Sequence, residues 1–133
     1  MAIERRDDGF VAIEWVLAIA TLLLPVVALV ATLPHWAERR HTATVAAREA
    51  ATALAQSLSV DSAQRRADAI LVNHGIDADD VDVVITGDRV RRGYVEIAVK
   101  VSMPALAVPG LDQITWSYTA RQHQRIDDYR SLP

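Results

Sequence analysis

The spacing of hydrophobic residues changes along this chain, and each change predicts a different element. From Phe10 to Leu33 the chain is apolar or small-polar with a single charge, Glu14. A helix over these 24 residues is roughly 36 Å long, enough to cross a hydrocarbon core of ~30 Å with some tilt. Pro25 falls inside the run and Pro34 closes it. Membrane helices tolerate proline, and a kink is expected here. Residues 35–58, "HWAERRHTATVAAREAATALAQSL", contain no glycine or proline and are rich in alanine, the best helix former. They predict that the same helix continues to about Leu58. Ala43, Ala46, Ala47, Ala50, Ala51, Ala53 and Ala55, with Leu54 and Leu58 among them, give this extension a surface for close helix packing.

Beyond it the period changes. "DSAQRRADAILVNHG" places Ala63, Ala67, Ile70 and Leu71 on one helical face. Asp61 is the expected N-cap, Gln64 its capping-box partner, and Gly75 the stop. "VDVVIT" (81–86) reads as a short strand and "GDRVRRG" (87–93) as a loop bounded by glycines. "YVEIAVKVSM" (94–103) alternates, with Val95, Ile97, Val99, Val101 and Met103 on one face and Glu96, Lys100 and Ser102 on the other. "ITWSYTA" (114–120) alternates again, with Ile114, Trp116 and Tyr118 against Thr115, Ser117 and Thr119. The tail from Arg121 is polar and is expected to be exposed. The predicted architecture is α+β: a long N-terminal transmembrane and amphipathic helix, a second short helix, and a three-stranded antiparallel sheet with one face covered. The segments are 1–9 as a leader, 10–33 as the membrane helix, 34–60 as its extension, and 61–133 as a small domain.

Composition narrows the chemistry. The formal net charge of -3 leaves no nucleic-acid footprint, and a chain without cysteine has no disulfide, thiolate metal site or cysteine nucleophile. Asp77, Asp79, Asp80 and Asp82 are read as a solvated acidic loop, because Val81 and Asp82 break the spacing of a calcium loop. His35 and His41 are six apart, off the spacing of one helix face, and the other histidines are scattered. No Gly-x-Ser-x-Gly elbow is present, and the "RVRR" of 89–92 is too short for nucleic acid. Glu96 and Lys100 read as a pair on the sheet surface. The expectation is a protein with no catalytic, cofactor-binding or metal-ligating residues, no small-molecule substrate and no nucleic-acid partner.

The chemistry that stands out is at the start of the apolar run, "GFVAIEW". A cleavable secretory signal has a basic leader, a short apolar core and a small-residue cleavage site after it. Here "MAIERRDD" sets two arginines against Glu4, Asp7 and Asp8, the run is too long, and its one Ala-x-Ala, Ala18-Ile19-Ala20, lies in the middle. A plain anchor explains the hydrophobicity but not Glu14, since a carboxylate costs on the order of 2.5–3.5 kcal/mol at the centre of a membrane helix and less near its end.

A polar leader, a glycine, then an apolar helix with glutamate at its fifth residue resembles a type IV prepilin. Gly9 would precede the cut, Phe10 would be the new N-terminus and Glu14 the fifth mature residue. The early Glu14, the mid-anchor Pro25 and the alanine-rich "AAREAATALA" are similar to the TadE-like minor pseudopilins of tight-adherence (Tad/Flp) pili, particularly the actinobacterial ones. Trp15, where that family often has Phe or Ala, and a leader without positive excess depart from the pattern. The resemblance implies cleavage by a prepilin peptidase and a pairing of Glu14 with the N-terminal amine of a neighbouring subunit. It also implies partnership with other pilins and Tad assembly proteins, in pilus assembly or a related secretion machine. The protein would be a single-pass protein of the cell membrane, its C-terminal domain extracytoplasmic, with incorporation into a surface pilus. The alternative is an uncleaved single-pass protein whose outer domain binds an envelope partner. A soluble secreted domain released by signal-peptide cleavage is the remaining option.

Overall fold

A computed structural model describes residues 7–87, 93–106 and 113–126, with side chains from Phe10 onward. The fold is α+β, as the hydrophobic pattern predicts. Helix α1 runs over Asp7–Ser57, 51 residues, about 77 Å at 1.5 Å per residue, and passes through Pro25 and Pro34 without ending. It begins at Asp7 rather than at Phe10, so Gly9 lies within it. A lone glycine costs a helix only about 1 kcal/mol and does not stop it.

Helix α1 ends where Leu58 turns to a left-handed φ of 56°, its N–H still donating to the Leu54 carbonyl at 2.8 Å. No glycine marks this stop. The leucine side chain packs against the core, which compensates the backbone strain. Helix α2 follows over Val60–Asn73. Its cap is Ser59, whose hydroxyl accepts from the Ser62 N–H at 3.4 Å. Asp61 is therefore in the first turn, not at the cap, and the Gln64 side chain donates to Asp68. The helix closes as a Schellman motif: Ile76 N–H donates to Leu71 O and Gly75 N–H to Val72 O, with Gly75 at φ 68°. Leu71 and Ile76 are both buried, which supplies the motif's apolar contact.

A single turn at Ala78–Asp80 leads into β1 (Val81–Gly87), β2 (Tyr94–Pro104) and β3 (Thr115–Arg125), an antiparallel meander in that order. The register pairs Val83 with Val99 and Ala120 with Val99 on the other side. Val95, Ile97, Val99, Val101 and Met103 of β2 are buried under α1, as their alternation requires. The strand β3 is longer than the sequence pattern indicates. Arg121–Arg125 continue to pair with Ala98–Tyr94, and Ile126 is buried, so the first part of the polar tail belongs to the sheet.

The core lies between the second half of α1, helix α2 and the inner sheet face. Ala43, Ala46, Ala47, Ala50, Ala51 and Leu54 are all buried there, whereas Ala53 and Ala55 are half-buried at its rim. Their small side chains let α2 and the sheet approach the α1 backbone closely. The polar leader up to Arg6, the "RVRR" loop and the C-terminal residues from Asp127 lie outside the described residues.

Candidate membrane anchor and its junction with the head

Most of the first half of α1, up to about Val27, is exposed. Phe10, Ile13, Trp15, Val16, Leu17, Leu22 and Leu24 are all more than 65% exposed, the reverse of a soluble core helix. By length and composition this helix can cross a membrane. Glu14 sits on this apolar surface, exposed, and no ion pair of Glu14 occurs among the described residues. Phe10, one turn before it, is 73% exposed. Gly9 is part of the helix backbone, so the predicted processing position is helical rather than a break between leader and helix.

The two threonine hydroxyls inside the apolar run are satisfied locally. The Thr21 hydroxyl donates to the Leu17 carbonyl at 2.8 Å and that of Thr32 to the Ala28 carbonyl at 2.7 Å. This is the internal satisfaction a bilayer demands of polar groups.

Sequence reasoning missed what happens where the anchor meets the head. Trp36 lies half-buried against the end of the sheet. Its indole N–H donates to the Pro104 carbonyl at 2.8 Å, and its ring meets Trp116 with centroids 4.6 Å apart and planes at 56°. One turn on, Arg39 donates to the Ser102 carbonyl at 2.7 Å and pairs with Asp80 at 3.3 Å. Arg40 stands over the Tyr118 ring, 4.7 Å from its centroid. Three side chains of α1 therefore fasten the ends of β2 and β3 and the Ala78–Asp80 turn to the helix. The signal was in the sequence: Trp36, Arg39 and Arg40 share one helix face immediately after the apolar run.

This arrangement also decides the fate of two surface expectations. Asp80 of the acidic segment is committed to a guanidinium. Glu96 pairs with Arg121 at 3.6 Å and His123 at 3.9 Å across the β2–β3 ladder, rather than with Lys100. Among the described residues no group of His, Asp or Glu side chains is placed to hold a metal ion.

Trp15 lies five residues after the start of the apolar run and Trp36 three residues beyond its end. They are 21 residues apart, about 32 Å along a helix, which matches a hydrocarbon core of ~30 Å. Tryptophan favours both membrane–water interfaces, so this separation is compatible with a bilayer between the two residues. In that placement Glu14 would lie at one boundary, where its desolvation cost is well below that at the centre. The chain matches no protein-family model, no curated protein and no solved structure.

Proposed function

We propose that this chain is a TadE-like minor pilin or pseudopilin, cut after Gly9 by a prepilin peptidase and assembled with other pilins of a Tad (Flp) system. The observation that carries the reading is Glu14, a carboxylate exposed on an apolar helical surface, with no ion pair among the described residues. In the bilayer that surface is covered by lipid. In a filament it is covered by the helices of neighbouring subunits, where a carboxylate needs a cation. The free amine of a newly cut Phe10 supplies one, since two opposite charges in an apolar surround cost several kcal/mol apart and far less together. The α+β head carried on the same helix supports this reading, as does its attachment to the second half of α1.

A second reading, an uncleaved single-pass protein whose outer domain binds an envelope partner, draws on the continuity of α1 through Gly9. The mature N-terminus separates the two. Intact-mass measurement of the protein from cells with an active prepilin peptidase should give Phe10 as the first residue, and Gly9→Leu should leave the leader attached. A wild-type chain that still begins at Met1 or Ala2 would overturn the pilin reading in favour of the plain anchor.

A further inference from the structure

We infer that the end of the sheet nearest the anchor, Ile114 and Trp116 together with Trp36, is a lipid-contacting surface seated in the headgroup–acyl boundary of the bilayer that α1 crosses. The inference rests on reading α1 as a membrane span.

Four observations converge on it. First, the head does not stand off from the apolar run. Thr32, inside that run, is fully buried, and Ala28, one turn earlier on the same face, is half-buried, whereas Ala12, Ala18 and Ala20 are exposed. Helix α1 is thus covered from about the last turn of its own span. Second, the strand ends that reach this level carry large apolar groups outward. Trp116 is 51% exposed although one side of its ring lies on Trp36, and Ile114 is 62% exposed, its carbonyl accepting from Ala105 N–H. Both are on the side of the sheet that faces α1, so they adjoin the span rather than the polar outer face. Third, the Trp36 indole N–H is already satisfied by the Pro104 carbonyl and needs no water. Fourth, the next turn of the helix carries Arg40, exposed and stacked on Tyr118, about 6 Å beyond Trp36. With Trp36 at the interface, that lies within the polar headgroup layer of about 5–7 Å per side, which a guanidinium on an aromatic ring suits.

The apolar patch is continuous with the apolar helix surface below it, and this continuity selects lipid over a second protein as its occupant. The consequence is orientational. A span alone leaves the head free to tilt, whereas a second contact at the interface fixes which sheet face points away from the membrane. The outward face then carries Glu96, Lys100, Arg121 and His123.

Because the chain has no cysteine, single-cysteine variants of the full-length protein give unique labels. Leu22→Cys, Ile114→Cys and Tyr94→Cys are to be nitroxide-labelled in phosphatidylcholine–phosphatidylglycerol vesicles. Collision with oxygen is then compared with collision with a water-soluble nickel complex. Tyr94 stands at the opposite end of β2 from Met103, about 30 Å away, and is 65% exposed. The expected result is a lipid-immersed label at Leu22, a water-exposed one at Tyr94, and an oxygen-to-nickel ratio at Ile114 several-fold above that at Tyr94. An Ile114 label as accessible to nickel as Tyr94, with Leu22 in lipid, overturns the docked head and leaves the span intact. An aqueous Leu22 label overturns both. An Ile114 label shielded from both reagents would put protein, not lipid, on the patch and equally overturn the inference.

Discussion

Two glycines show how differently the same residue can be required. Gly75 has φ 68° and no atom within 4 Å of where a Cβ would stand, so only its backbone angle favours glycine. Gly87 has φ 118°, and its Cβ would overlap the Tyr94 carbonyl oxygen and lie 2.9 Å from Val95 Cα across the β1–β2 ladder. Gly75→Ala should therefore cost about 1–2 kcal/mol, the penalty of a left-handed L-residue. Gly87→Ala should cost about 3 kcal/mol or more, because steric overlap with backbone adds to strain of ~1–3 kcal/mol. Thermal unfolding of the full chain in detergent, followed by near-ultraviolet circular dichroism, measures both. Equal losses would show that close strand approach is not what holds glycine at 87. The stop of "ITG" at Gly87 is legible in the sequence as a turn residue. The reason it must be glycine is not, because Tyr94 becomes its neighbour only through pairing.

At the scale of elements, local pattern carried most of the fold, and tertiary contacts decided the rest. The alternation of Val95 to Met103 and the helical spacing of Ala63, Ala67 and Leu71 each name a buried face without knowledge of partners. The cap at Ser59 was hidden because α1 ends on Leu58, a residue that becomes a stop only when its side chain finds the core. "RQHQR" has no strand composition of its own. It extends β3 because β2 is equally long and presents unpaired backbone groups to it. The junction of α1 with the sheet is likewise tertiary, and Arg39 is its centre. With its side chain only 17% exposed, its bond to the Ser102 carbonyl should outweigh its pair with Asp80, whose side chain is 42% exposed. Arg39→Met, which keeps the stem, should lose about 1.5–3 kcal/mol from the charge-assisted bond. Asp80→Asn should lose less than about 1 kcal/mol, the usual value of a solvated pair. The same melting experiment checks this, and an Asp80→Asn loss equal to that of Arg39→Met would assign the junction to the ion pair instead.

For the whole molecule, the deciding feature is that one helix serves two environments. Its second half is held by its own chain through a small-residue face. Its first half offers an apolar surface, with Glu14 on it, to whatever lies outside. A bilayer between Trp15 and Trp36 would put Glu14 near its boundary; on the proposed pilin reading neither insertion nor the cut before Phe10 would require its charge, and removing it lowers the cost of insertion. Assembly is different. In the proposed filament, where other pilin helices would cover this surface, the amine of a cut Phe10 and the carboxylate of Glu14 would each be unsatisfied unless paired. Breaking such a pair typically costs ~3–5 kcal/mol, and each 1.4 kcal/mol is tenfold in affinity. Glu14→Gln, similar in shape but uncharged, should therefore yield a processed, membrane-resident protein that no longer co-purifies with pilus components. A plain anchor predicts the reverse, equal insertion with every partner of the outer domain retained. Measuring the mature mass and the recovered partners in one strain separates these outcomes. Full partner recovery by a correctly cut Glu14→Gln protein would end the charge-pairing mechanism while leaving the cleavage itself established.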